Sequence, residues 1–333
     1  MRKKILITIT VILTGFLAKS QTGLFVQQLA DFDTAMINLM NQFNVPGGEL
    51  AITYQGRLVY NRGFGYADNS THTLVEPNSI FRLASVSKPV TSVAIMKLYE
   101  QGLLHLDDTV FGIHGILNDN SYQTILDPLV RRITIRNLLT HSGGWNRDIS
   151  GDPMFNAYQI AVSMGVTPPA DAVSVIRYTI ANQMLDFVPG TQYQYSNFGF
   201  CILGRVIEKI TGQTYEDYVR NTILLPIGIS DMHTGKNLPG NKLPMEVNYY
   251  DYPDAPLTNS IYDNITQVPW PYGGFNIEAM DSHGAWVASA EDLCKLLVSV
   301  DGFPTKPDIL TAATINTMVT PSATNANYAF GWR

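Results

Sequence analysis

The chain has 333 residues, 45% of them hydrophobic, with 22 Lys and Arg against 28 Asp and Glu for a net charge of −6. That acidic surplus argues against nucleic acid or an anionic lipid surface as a partner. The length is enough to bury a sizeable core, as one large domain or as two lobes.

Residues 1–20 have the pattern of a signal peptide: Arg2, Lys3 and Lys4, an apolar run over 5–17, then the small-x-small site Ala18-Lys19-Ser20. The run is shorter than the roughly 20 residues a membrane span needs, and no Cys follows it to carry a lipid. Left uncleaved, the same segment would serve as an anchor. The expected mature protein is residues 21–333, secreted or periplasmic, and no later stretch is long and apolar enough to cross a membrane. Removing Arg2, Lys3, Lys4 and Lys19 makes it more acidic still.

Leu29, Phe32, Met36, Leu39, Met40 and Phe43 recur at helical spacing, and Pro46-Gly47-Gly48 stops that helix. Residues 49–54 and 57–60 read as two strands joined through Gln55-Gly56, a hairpin that runs out through Gly63 and Gly65. A helix, a hairpin and then a long helical stretch suggest a sheet layer covered by helices.

Ser85-Val86-Ser87-Lys88 opens the next apolar helix, which runs through Val90, Val93, Ala94, Met96 and Leu98 to Gly102. Positions three apart share a helix face, so Lys88 lies beside Ser85. A serine hydroxyl is a poor nucleophile until a base takes its proton, and an amine one turn away at a helix N-terminus supplies one. On its own the S-x-x-K pattern is common, and a capping serine with a solvated lysine is the bland alternative.

Residues 104–127 are loop-rich, and Asn118-Asp119-Asn120 is a polar turn that lacks the Gly and distal Glu of a calcium loop. A short helix over 134–140 is capped by Thr134 and ended by Gly143-Gly144; His141, at its last turn, reads as a dipole-favoured histidine holding a loop. Another helix covers 171–185. A Pro189-Gly190 turn and a short extended stretch, Tyr195-Ser196-Asn197, then feed a helix over 198–210, closed by Gly212. In an extended segment Tyr195 and Asn197 point the same way, a phenol and an amide suited to proton transfer and to holding a substrate amide. The helix starts Thr214-x-x-Asp217 and Ser289-x-x-Asp292 follow.

Cys201 and Cys294 sit in apolar helical patterns and read as free buried thiols, although an oxidising compartment also permits a bridge. Six histidines show neither H-E-x-x-H nor paired ligand spacing, so neither a metal nor any other cofactor is expected.

Taken together, Phe81-Arg-Leu-Ala-Ser-Val-Ser-Lys88, Ile133-Thr-Ile-Arg-Asn-Leu-Leu-Thr-His-Ser-Gly143, Val188-Pro-Gly190, Tyr195-Ser-Asn197 and Ser289-Ala-Glu-Asp292 resemble the serine beta-lactamase and penicillin-binding-protein superfamily. Tyr-Ser-Asn in place of Ser-Asp-Asn points to the class C-like branch, which includes D-alanyl-D-alanine carboxypeptidases and esterases. The resemblance implies an α+β fold, an antiparallel sheet flanked by helices plus an all-helical lobe. It implies Ser85 as nucleophile, Lys88 as its proton-accepting partner, Tyr195 as the other acid/base and Asn197 as a substrate-amide ligand. It implies a small-molecule or peptide substrate: a beta-lactam, a peptidoglycan stem peptide or an ester. Alternatives are an esterase or D-amino-acid peptidase, a binding module without turnover, and an inert truncated relative.

The family closes its site with a strand carrying K-T-G or H-x-G. His233-Thr234-Gly235 fits that string, yet it stands between Leu225-Pro-Ile-Gly228 and Leu238-Pro-Gly-Asn241, turn chemistry without a strand, and so reads as a chance match. His283-Gly284, just ahead of the Ser289 helix, is set aside as well. The third-motif strand is accordingly expected beyond residue 333.

Overall fold

The hairpin sets the frame. In this computed structural model, which describes residues 21–333, helix α1 (Ala30–Gln42) leads into strands β1 (Gly47–Tyr54) and β2 (Arg57–Asp68), paired antiparallel from Gly47 with Gly65 to Tyr54 with Arg57. The signal-peptide reading of residues 1–20 lies outside the described residues. Gln55 and Gly56 turn the chain with positive φ of 50° and 69°, the two-residue turn whose twist matches the strands it joins. β2 is longer than residues 57–60. Gly63 does not end the strand but lets it approach the Val75 carbonyl, where a Cβ would lie only 2.1 Å from the oxygen. Strand β3 (Thr73–Leu74) completes this sheet in the order β1-β2-β3, and Met40, Tyr60 and Phe64 form a small core between it and α1.

A second antiparallel sheet differs from expectation. It joins β4 (Phe81–Arg82) and β5 (His233–Thr234) to either side of β8 (Trp286–Ala288). His233 pairs with Val287 and Thr234 with Trp286, so the reading of this stretch as turn without strand is corrected. Two residues are too few to show a period, and β8, buried on both faces, has no alternation to read.

Central to the molecule is helix α2 (Ser87–Glu100), whose Val90, Val93, Ala94, Ile95, Met96 and Leu98 all lie in the main core. The helices α3 (Ile135–Leu139), α4 (Arg147–Ser150), α5 (Ala157–Met164), α6 (Ala172–Asn182), α7 (Asn197–Thr211) and α8 (Tyr215–Val219) follow, with α7 and α8 packed against α2, and α3 and α6 against α7. Short strands β6 (Thr258–Asn259) and β7 (Gln267–Val268) pair within a largely irregular stretch, and α9 (Ala290–Val298) and α10 (Ala312–Val319) follow.

The caps anticipated from sequence form: Thr134 with Asn137 and Ser289 with Asp292 make capping boxes, and the Thr214 side chain accepts from the Asp217 N–H. α4 and α5 were not foreseen. Cys201 and Cys294 are both free, the first buried and the second half-buried. Among the described residues no helix is long and apolar enough to cross a membrane.

Candidate active site

Ser85 stands in a tight 3₁₀ turn (Ala84–Val86) immediately ahead of α2. Ala84 holds a left-handed φ of +46°, a conformation uncommon for a residue with a Cβ, and Ser85 beside it is exposed. One turn further on, Lys88 is only 2% exposed. The nucleophile candidate thus sits at the rim and the amine beneath it.

Lys88 Nζ lies 3.2 Å from Ser85 Oγ, 2.8 Å from Asn197 Oδ1 and 3.0 Å from the His283 carbonyl oxygen. A neutral amine has two N–H donors and one lone pair. Here two acceptors take the donors, which leaves the lone pair for the Ser85 hydroxyl proton. On the other side Tyr195 donates its O–H to Ser85 Oγ at 2.6 Å. The four residues singled out in the sequence therefore converge on one point. Their arrangement differs in one respect: Asn197 is the first residue of α7, with Ser196 as its cap, rather than part of an extended run.

Burial pushes the Lys88 ammonium down to about 7, with the Asp152 carboxylate acting upward and the Arg147 guanidinium downward. Burial raises the Tyr195 phenol, opposed by its bond to Ser85 and by Arg147, so it stays protonated at neutral pH. Of the two, Lys88 is the one with a neutral, proton-accepting form available near pH 7.

Three contributors were not legible beforehand. Asp152 accepts from Asn197 Nδ2 at 2.7 Å and fixes the amide so that its oxygen faces Lys88. Its only sequence signal was that of a cap before Pro153, a role it also fills by accepting from the Met154 N–H. Arg147 lies 5.2 Å over the Tyr195 ring. His283, set aside as a motif, returns through its backbone carbonyl, held where it is by the ion pair of Asp281 with Arg205 of α7.

His141 requires a correction. It does hold a loop, since Nδ1 accepts from the Ser196 N–H at 3.2 Å and Nε2 lies 2.8 Å from the Tyr328 hydroxyl. However, it is 1% exposed and burial holds it well below its ordinary pKa, so it is neutral and gains nothing from a helix dipole. Its ring, 4.5 Å from that of Tyr195, instead backs the phenol. His233 bonds Glu216 through Nδ1 at 2.9 Å and does not line the cavity at Ser85.

That cavity, of about 390 Å³, is bordered by Ser85, Asn197 and His283. Among the described residues no three His, Cys, Asp or Glu side chains gather as metal ligands would.

A serine with a lysine one helical turn away, set between an antiparallel sheet and a layer of helices, defines the beta-lactamase and transpeptidase class of fold. The Beta-lactamase family model matches residues 32–333, and the chain belongs to that family. Among curated proteins it is 26% identical to Protein flp of Staphylococcus aureus (strain MRSA252) over 269 residues, 80% of this chain and 50% of that protein. It is 32% identical to Penicillin-binding protein 4* of Bacillus subtilis (strain 168) over 193 residues, 57% of this chain and 38% of that one. The chain thus spans about half or less of the length of the curated relatives it matches. The octameric penicillin-binding protein homologue from Pyrococcus abyssi superposes with a TM-score of 0.65 at 24% identity, covering 91% of this chain and 64% of that one. EstCE1, a hydrolase with promiscuous acyltransferase activity, gives 0.65 at 23% identity over 92% and 82%.

Proposed function

We propose that this protein is a serine hydrolase that forms an acyl-enzyme at Ser85 on ester or amide substrates, of the beta-lactamase or D,D-peptidase kind. The observation that carries the reading is the position of Ser85 Oγ, 3.2 Å from a buried amine and 2.6 Å from a phenol. As Oγ attacks the substrate carbonyl carbon, Lys88 takes its proton and the oxygen–carbon bond forms. The negative charge on the tetrahedral oxygen is met by the Ser85 backbone N–H, a first-turn donor. Collapse breaks the bond to the leaving group, which receives the proton back from the Lys88–Tyr195 side. Water then repeats the sequence on the acyl-enzyme and releases the acid.

The roles of Lys88, Tyr195 and Asn197 belong to the same proposal, with Asn197 as amide ligand and Asp152 and His141 as positioning residues. The description of EstCE1 as a hydrolase with promiscuous acyltransferase activity supports acyl transfer, and the name of Penicillin-binding protein 4* supports binding of penicillin. The export-signal pattern of residues 1–20 supports a secreted or periplasmic enzyme with small-molecule or peptide substrates; N-terminal sequencing of exported protein tests it.

Labelling with a fluorescent fluorophosphonate or penicillin, followed by mass-spectrometric mapping, tests the centre of the reading. The adduct is expected on Ser85 and absent from Ser85→Ala. A label on another serine, or one that survives the substitution, overturns it. Rates on nitrocefin, a p-nitrophenyl ester and a D-Ala-D-Ala peptide then rank the substrate classes.

A further inference from the structure

The cavity beside Ser85 has a largely aromatic wall, of which Met280 and Phe275 also pack in the main core. Phe155, Tyr249, Tyr250, Trp270, Phe275 and Met280 line it, contributed by the turn after Asp152 and by the irregular stretch around β6 and β7. Phe155, Tyr250 and Trp270 remain 46%, 45% and 41% exposed. Single exposed aromatics are ordinary, but Phe155 and Trp270 join Phe275 in one continuous surface. The rings of Phe155 and Trp270 stack with centroids 6.2 Å apart at 18°, and Trp270 meets Phe275 at 5.2 Å. An apolar surface gathered around a reactive group, in a cavity of ligand size, is what a substrate side chain fits.

The charged side chain on this lining is Arg82, and its charge is matched by the buried Glu246 carboxylate. Its two terminal nitrogens donate to the Pro271 and Lys236 carbonyl oxygens at 2.6 and 2.7 Å, and its guanidinium lies 4.3 Å over the Tyr249 ring. Glu246 flanks its Nε at 3.7 Å. Arg82 therefore ties the aromatic stretch to β4 and carries a charge already offset by Glu246. His283, also on the lining, is kept neutral by burial. A carboxylate entering this space would lose its hydration, and the cation on the lining, Arg82, is already offset by Glu246.

The orientation of the substrate follows from where the proton carriers stand. The leaving group must lie within reach of the Tyr195 hydroxyl and Lys88, which receive and return the proton. Ser85 and Asn197 line the cavity, whereas Tyr195 and Lys88 do not. The leaving group thus lies on the tyrosine side and the acyl group on the cavity side. We propose that this cavity is an acyl subsite selecting bulky, uncharged, aromatic or branched apolar acyl groups, with Trp270, Phe155 and Phe275 as its specificity-determining residues. The inference rests on the reading of Ser85 as the acylated nucleophile.

The test keeps one leaving group and varies the acyl part, using p-nitrophenyl acetate, pentanoate, phenylacetate and hemiglutarate. Rates are normalised to each ester's hydroxide-catalysed hydrolysis. The expected kcat/KM is about 10-fold or more higher for phenylacetate than for acetate, as one well-filled apolar pocket provides, and lower for hemiglutarate than for pentanoate. Trp270→Ala and Phe155→Ala, each with a native circular dichroism spectrum, should each reduce the phenylacetate-to-acetate ratio several-fold. A flat acyl series, a preference for hemiglutarate, or variants that scale all four esters equally overturns the subsite.

Binding separates this outcome from failure of the underlying chemistry. Phenylacetamide is titrated into Ser85→Ala by calorimetry, with and without Trp270→Ala. Saturable binding that the second substitution weakens supports the subsite even if fluorophosphonate fails to label Ser85. Labelled Ser85 with neither acyl preference nor Trp270-dependent binding leaves the hydrolase reading intact and removes this one.

Discussion

At the scale of single residues, the proposed chemistry depends on keeping one amine neutral in contact with one hydroxyl. Lys88 is pushed down to about 7 by burial, while Asp152 favours its charged form and Arg147 opposes it. In the proposed mechanism the neutral amine is the base, so kcat/KM should rise with pH through a limb near 7, then plateau while Tyr195 remains a phenol. Asp152→Asn removes the charge that favours the ammonium and should move that limb to lower pH; Arg147→Gln should move it up. Stopped-flow acylation profiles check both signs, and a limb unmoved by either substitution would mean that another group sets it. Lys88→Met and Tyr195→Phe should each slow acylation by about 10²–10⁴-fold, a usual range for a positioned proton carrier. The double variant should be little slower than the poorer single one, because the two act as a unit on Ser85. Multiplicative losses in single-turnover kinetics would show that they act separately.

At the scale of elements, α7, which presents Asn197, is fixed at its start by a side chain of its own, whereas α2 has no side-chain cap. The Ser196 side chain accepts from the Gly199 N–H at 3.0 Å and sets the entry of α7, which aims Asn197 at Lys88. Ser289 and Asp292 satisfy each other's backbone at the head of α9, directly after β8, the strand between β4 and β5. Ser289→Ala should cost about 1 kcal/mol, read as a lower urea midpoint with labelling of Ser85 retained. An unchanged midpoint would mean that Asp292 alone caps the helix. Ser196 reads in the sequence as part of an extended stretch, whereas the Ser289 cap was legible because a cap is local, with donor and acceptor within three residues. Ser85, Lys88, Tyr195 and Asn197 were found through short motifs for the same reason. Asp152 and His283 were not, since an Asp-Pro step and a buried His-Gly look alike in any loop until the fold brings them to α2 and α7. β8 failed for want of length: Trp286, Val287 and Ala288 are all buried, and three apolar residues carry no period.

For the molecule as a whole, the site is a source of instability that the remaining core must offset. Lys88 has an ordinary pKa of 10.5 when unfolded and about 7 when folded, because burial disfavours the ammonium. Between those values the unfolded chain binds a proton that the folded chain does not, so stability rises with pH there, by up to about 1.4 kcal/mol per unit. Below pH 7 both states are protonated at Lys88 and the full cost of a buried charge applies; above 10.5 it vanishes. α2 tolerates this cost because its other buried residues, Val90 to Leu98, anchor it in the main core. Lys88→Met keeps the length of the side chain and removes the charge, at the expense of the bonds to Asn197 Oδ1 and the His283 carbonyl oxygen. Those lost bonds give a constant offset, whereas the charge term depends on pH. The stability of the variant relative to the parent should therefore be highest at pH 7 and fall steadily towards pH 10. Urea denaturation at pH 7, 8, 9 and 10 measures that difference. Parallel curves would mean that Lys88 stays charged in the folded protein, and the neutral amine would lose its place as the base.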